Sequence, residues 1–190
     1  MNSSFIIVTT LHPESINTES IRGKLHSLYR KSIEAIRYDN FKVYIFSDQA
    51  GEELRNTEFV ICDGKTKEKR LAFAKKYLLD ESLSSDYILR LDDDDVLNPF
   101  AFDLVNKSKP EFYFDPFHSF YSFDSNMYSQ LNQPWFANTV IMKSVHAFKE
   151  IYLNNALFFN FQHSTWHAYF SDNGIIGKPS EKNSPLYIRI

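Results

Sequence analysis

Residues 87–95 read Tyr87-Ile88-Leu89-Arg90-Leu91-Asp92-Asp93-Asp94-Asp95, a short apolar run that ends in four adjacent carboxylates. The apolar part is too short for a helix and reads as a buried strand. Holding four carboxylates together at its end is costly, because like charges within a few Å repel and raise one another's pKa. A hard divalent cation, Mn²⁺ or Mg²⁺, supplies the missing counter-charge. Such ions take oxygen ligands, and Mg²⁺ is usually held by one or two carboxylates plus a substrate's phosphates. In an extended segment alternate side chains share a side, so Asp92 and Asp94 point together while Asp93 and Asp95 point away. The competing reading is a solvated acidic turn that opens the next helix, with Asn98 as N-cap and Pro99 at the first helical position.

Upstream of this run, Phe5 to Thr9 is continuously apolar and rich in β-branched residues, which predicts a first strand. Residues 20 to 37 set Ile21, Leu25, Leu28, Ile33 and Ile36 at helical spacing, with Lys24, Arg30, Lys31 and Glu34 between them. Phe41 to Phe46 and Glu58 to Cys62 read as strands, Lys65 to Leu79 as a second helix, and Tyr87 to Leu91 as the strand of the acidic run. The order β-α-β-β-α-β predicts an α/β fold, a mixed, mostly parallel sheet flanked by helices, with ligands beyond the carboxyl ends of the strands. Downstream the chain is less regular and more aromatic. Phe112 to Phe114 and Phe120 to Phe123 read as strands, Ser144 to Leu153 as a helix, and Asn173 to Pro185 as an extended loop. Pro185 to Ile190 is strand-like and either closes the sheet or marks a cut in the chain.

With 190 residues, a single domain is the expectation. A formal net charge of only -3 argues against the large basic surface of a nucleic-acid-binding protein. Met1 to Ser4 lacks the basic flank of a secretory signal, and no segment approaches the roughly 20 apolar residues of a membrane span. Cys62, alone in an apolar run, reads as a small buried side chain. These features point to a cytoplasmic protein.

The stretch Tyr87 to Pro99 resembles the strand and DxD motif of GT-A glycosyltransferases, and is especially similar to the family 2-like enzymes and bacterial rhamnosyltransferases. Lys67 to Ala74 resembles the helix that precedes that motif, and Trp135 to Lys143 the later strand and turn on the acceptor side; together the likeness covers residues 4 to 155. It implies a GT-A (Rossmann-like) domain over residues 1–190, with a nucleotide-sugar-binding half (1–97) and an acceptor-side half (98–190). The implied activity is metal-dependent transfer of a hexosyl-type group from a nucleoside diphosphate sugar to a hydroxyl of a saccharide or lipid-linked acceptor, in cell-surface polysaccharide synthesis. By the same resemblance Asp94 coordinates the Mn²⁺ or Mg²⁺, Asp95 is a second candidate ligand, and Asp92 and Asp93 lie against the nucleotide sugar. Thr9, Thr10 and Asp48 match positions that contact the nucleobase, although Asp48 is equally a turn former. Lys67 and Arg70 would face the phosphates, or else stand as solvated cations on a basic helix face. Arg90, a charge inside an apolar strand, wants a partner, and the aspartates after it are the nearest candidates.

His163 and His167 stand at i and i+4, on one face of a helix. The resemblance implies a late histidine as a further metal ligand, while the bland alternative is hydrogen-bonded packing. Gln162-His163 stands where the family carries a Glu-Asp pair, so the acceptor's base falls to Asp172, Asp124 or His163. Trp166 is the aromatic chosen to stack on a sugar face. Two rivals remain. A nucleotidyltransferase of the same fold needs a Gly-rich triphosphate loop, whereas the five glycines here are not clustered. A non-catalytic cation- or carbohydrate-binding module would bind without turnover.

Overall fold

The strand Phe5–Thr10 is buried along its whole length, which requires cover on both faces of its sheet. In the computed structural model, which describes residues 2–52, 54–122, 124–132, 139–151, 155–156, 159 and 164–190, that cover is supplied by helices. The elements run β1 (Phe5–Thr10), α1 (Ile21–Glu34), β2 (Phe41–Ser47), β3 (Thr57–Ile61), α2 (Lys67–Asp80), β4 (Tyr87–Arg90), β5 (Asp95–Leu97) and α3 (Ala101–Ser108). Then follow β6 (Phe112–Phe114), β7 (Phe117–Ser122), β8 (Met127–Asn132), β9 (Val140–Lys143), α4 (Ser144–Ala147), β10 (Glu150–Ile151), β11 (Asn155–Ala156), α5 (Ser164–Asp172), β12 (Lys178–Pro179) and β13 (Tyr187–Arg189).

The main sheet has seven strands in the order β12-β6-β9-β4-β1-β2-β3. Only the pairings of β9 are antiparallel; β1 lies parallel to both β2 and β4. The period of two along each strand sorts side chains between two cores. Phe5, Ile7, Val43, Ile45 and Leu89 join Tyr29 and Ile33 of α1, whereas Ile6, Val8, Tyr44, Phe46 and Ile88 join Ala74 and Leu78 of α2 and Trp166 and Phe170 of α5. Arg90 falls on that second face. Its guanidinium stands 5.0 Å from the Trp166 ring, and burial lowers its pKa to about 10.

Both long helices start on hydroxyl caps that point their first turns at the same edge of the sheet. Ser20 Oγ accepts from the Gly23 amide at 2.9 Å, and Thr66 Oγ1 from the Lys69 amide at 3.4 Å. Glycine at position 23 has a steric cause, because a Cβ there would stand 1.9 Å from the Asn17 carbonyl oxygen.

Three expectations for the second half are corrected. The helix expected over 144–153 stops at Ala147, since a single turn burying only His146 and Ala147 gains too little to continue, and Glu150–Ile151 pairs with β11 instead. The region 173–185 is not wholly loop, because Lys178–Pro179 adds an edge strand beside β6. The last strand does not close the main sheet: β13 lies between β5 and β7 in a separate sheet of order β5-β13-β7-β8. Its antiparallel register sets Arg189 opposite Asp95.

Candidate functional site

The acidic run turns immediately after β4. The Asp95 amide donates to the Asp92 carbonyl at 3.2 Å, yet the alternation expected of an extended segment survives the turn. The side chains of Asp92 and Asp94 remain 17% and 23% exposed, while that of Asp93 is 5% exposed and Asp95 as a whole residue 1%. Each of the two outward carboxylates has its own cation. Lys67 Nζ, on the first turn of α2, lies 2.6 Å from Asp92, and Arg22 Nη1, on the first turn of α1, lies 2.9 Å from Asp94 and 3.6 Å from Asp93.

These groups line a cleft of about 460 Å³ at the carboxyl ends of β1 and β4. Arg22, Lys65, Lys67, Arg70 and Arg189 stand in it against Asp92, Asp93 and Asp94, and the amino end of α2 opens on it. Five cations and a helix amino terminus around two accessible carboxylates suit a multiply charged phosphate ligand. Arg70 is 3% exposed: its Nε donates to the Gly64 carbonyl at 2.6 Å, and its Nη2, 3.5 Å from Asp48, makes no hydrogen bond among the described residues.

Of the residues singled out in the sequence, Thr10, Lys67, Arg70, Asp92, Asp93 and Asp94 come together in this cleft. Thr9 does not. It is wholly buried, with Oγ1 bonded to the Tyr29 hydroxyl and the Leu91 carbonyl, because the strand's alternation turns it into the core. Asp93 serves the loop after β1, accepting from the His12 amide at 2.8 Å and the Ser15 hydroxyl at 2.6 Å. Asp48 stands behind Arg70 and does not line the cleft. Trp166 is 0% exposed and offers no face to a sugar, because the second core needs its bulk. Asp172 is exposed at the end of α5, away from the cleft. Asp124 sits on a neighbouring cleft of about 860 Å³ that shares Arg189 with the first and is walled by Ile21, Leu25, Phe120, Tyr121 and Met127. His163, Trp135 and the side chain of His167 lie outside the described residues.

Sequence reasoning missed Arg22, His12, Lys65 and Arg189. Arg22 is hidden in an amphipathic helix pattern, and nothing in the chain's order announces that the last strand returns beside Asp95.

Asp95 is displaced from the role of accessible ligand, because its side chain is turned inward behind the run. Neither of its oxygens has a hydrogen-bond partner among the described residues, and burial, then Asp92 and Asp94, push its pKa well above the ordinary 3.8, against the pull of Arg189 and Lys67. A carboxylate so placed favours added positive charge nearby. No group of three His, Cys, Asp or Glu side chains arranged for a metal occurs among the described residues. Asp92 and Asp94 therefore fit an ion shared with phosphates, as Mg²⁺ is usually held, and not a closed protein cage.

The raised pKa has a measurable consequence. The folded protein holds the Asp95 proton more tightly than the unfolded chain, so this group's contribution to stability is greatest at acid pH. It is lost as pH rises from the unfolded carboxylate value, about 3.9, through the folded one. Asp95→Asn is expected to raise the Tm of chelator-treated protein at pH 7.5 and to flatten its fall between pH 5 and pH 7.5. Melts of both proteins at the two pH values check it, and identical pH profiles would contradict the assignment.

No protein-family model matches the chain. No curated protein matches it either. Among solved structures, 233 chains are similar. The 4-diphosphocytidyl-2C-methyl-D-erythritol synthase of Anaerococcus prevotii DSM 20548 superposes with a TM-score of 0.52 at 13% identity, over 99% of this chain and 92% of that one. S. aureus TarS 1-349 in complex with UDP-GlcNAc gives 0.48 at 14% identity, over 90% and 47% of the two chains. The Pyrobaculum calidifontis mannosyltransferase PcManGT in complex with GDP-Man and Mn²⁺ gives 0.43 at 11%, over 60% and 36%. The chain thus spans about half or less of the length of these last two proteins. At these identities the likeness shows the fold: the chain has the GT-A and nucleotidyltransferase-like architecture, a mostly parallel sheet with helices on both faces.

Proposed function

We propose that the protein is a metal-dependent glycosyltransferase that binds a nucleoside diphosphate sugar in the Asp92–Asp94 cleft. The observation that carries this reading is the pair of outward carboxylates, Asp92 and Asp94, set among five cations beyond the ends of β1 and β4. Asp92 and Asp94 would hold Mn²⁺ or Mg²⁺, which, when bound, offsets charge on the diphosphate. Lys67, Arg70 and Arg189 offer donors to the phosphate oxygens as negative charge builds on them. An acceptor hydroxyl loses its proton to a base, its oxygen bonds to the anomeric carbon, and the bond to the diphosphate oxygen breaks with the electron pair. Asp124 is the base we favour, because its cleft adjoins the first through Arg189. The walls of that cleft, with Ile21 78% and Met127 61% exposed, suit a lipid-linked acceptor better than a bare saccharide.

On this reading residues 1–190 act as one unit, 1–97 holding the donor and 98–190 shaping the acceptor side, with Arg189 crossing between them. No helix among the described residues is long and apolar enough to cross a membrane, and we place the enzyme in the cytoplasm, assembling cell-surface polysaccharide. Nucleotidyl transfer is the rival that the fold permits. The segment from Leu11 to Ser20 between β1 and α1, where a triphosphate loop would lie, contains no glycine, which disfavours it.

Calorimetry with UDP, GDP and dTDP, each with Mn²⁺ and with chelator, tests the cleft. At least one diphosphate is expected to bind more tightly with the metal. Equal binding with chelator sinks the metal bridge, and turnover of CTP or UTP with a phosphorylated acceptor would favour the rival.

A further inference from the structure

Arg22 forms ion pairs with two members of the acidic run, at 2.9 Å from Asp94 and 3.6 Å from Asp93. Its side chain is 39% exposed and reaches the run from the first turn of α1, so its head is not locked by packing. The hydrogen bond to Asp94 Oδ2 uses an oxygen that a divalent ion would also seek. The adjacent carboxylates of Asp92 and Asp93 repel the charge of Asp94, and the one ion pair that offsets it is partly open to solvent, its two side chains being 39% and 23% exposed. Arg22 therefore only partly satisfies Asp94.

We propose, resting on the metal–nucleotide reading of the cleft, that Arg22 is an exchangeable counter-ion: it holds Asp94 until a divalent cation competes for that carboxylate, and it then turns its guanidinium to the diphosphate. Arg22 and the cation cannot both take Asp94 Oδ2 at full strength, so the metal alone binds against competition. A nucleoside diphosphate relieves the competition by giving the displaced guanidinium an anion to pair with, an arrangement to which Arg is well suited. Metal and nucleotide then strengthen each other's binding by the same factor, as linkage requires. Arg22 thus makes the cleft favour the metal–nucleotide pair over the bare ion.

The test is calorimetry of Mn²⁺ alone, and of Mn²⁺ with UDP, GDP or dTDP, on the wild-type protein, Arg22→Ala and Arg22→Lys. Wild-type protein is expected to bind Mn²⁺ weakly alone and more tightly with the nucleotide. Arg22→Ala should bind Mn²⁺ alone about two- to fivefold more tightly, the scale of releasing one partly exposed ion pair, and show a smaller gain on adding nucleotide. Arg22→Lys should fall between the two. If the wild type shows the metal–nucleotide gain while both variants keep its Mn²⁺ affinity and its gain, the counter-ion role is overturned and the cleft reading stands. If the wild type binds neither Mn²⁺ nor any of the three nucleotides, the cleft reading fails and takes the inference with it.

Discussion

Asp94→Ala is expected to abolish the Mn²⁺-dependent part of nucleoside diphosphate binding, a loss of about a hundredfold in affinity, corresponding to roughly 2.8 kcal/mol. The physical reason is local charge. Asp94 is the more exposed of the two outward carboxylates, and without it Asp92, already bonded to Lys67 at 2.6 Å, would face the ion alone. Binding in chelator should behave differently. Removing one negative charge from a cleft lined by five cations leaves metal-free nucleotide affinity unchanged or raises it. The informative measurement is therefore the pair of titrations, with Mn²⁺ and with chelator, on the wild type and the variant. A variant that keeps its full metal-dependent gain would remove Asp94 from the site.

Trp166→Ala is expected to cost about 3–5 kcal/mol of folding stability, the range for emptying a large buried aromatic position. Trp166 is wholly buried in the core between the sheet and α5, where Phe112 and Phe170 stack at 3.8 Å. The substitution opens a cavity and also strips the aromatic face from the buried Arg90 guanidinium 5.0 Å away. Such a loss is a large part of the 5–15 kcal/mol typical of a folded domain. Urea unfolding measures it, with Trp166→Phe expected to lose less. Nucleotide affinity of the folded fraction should be unchanged in both variants. If Trp166→Ala keeps its stability and instead loses discrimination between a nucleotide sugar and its free diphosphate, the ring contacts a sugar and its place in the core is wrong.

The first four strands and two helices were legible because burial imposes a pattern. β1, β2 and β4 are covered on both faces and so read as short, nearly continuous apolar runs, while apolar residues recur at three and four along α1, and both patterns survive in one dimension. The acidic run was legible for a related reason: alternation in an extended segment puts Asp92 and Asp94 on one side, and the turn the chain makes there keeps those two as the partly exposed pair. The second half resisted reading because its strands have only two to six residues where they join a sheet, and its aromatic residues fit a strand or a helix equally well. Trp166 misled for that reason. An aromatic near the end of an α/β chain suits a sugar platform or a core equally, and only packing against Arg90 and the sheet decides.

By itself, then, the sequence determined the first strands of the sheet with their helices, the carboxyl edge on which the cleft opens, and the two partly exposed carboxylates there. Tertiary structure alone decided the counter-charges. Arg22 lies 72 positions before Asp94, and Arg189 comes from the last strand, so their approach depends on chain crossings that leave no local pattern. It also decided the fate of Asp95. Pairing with β13 turns its carboxylate inward, where loss of water, a property of enclosure and not of residue type, raises its pKa.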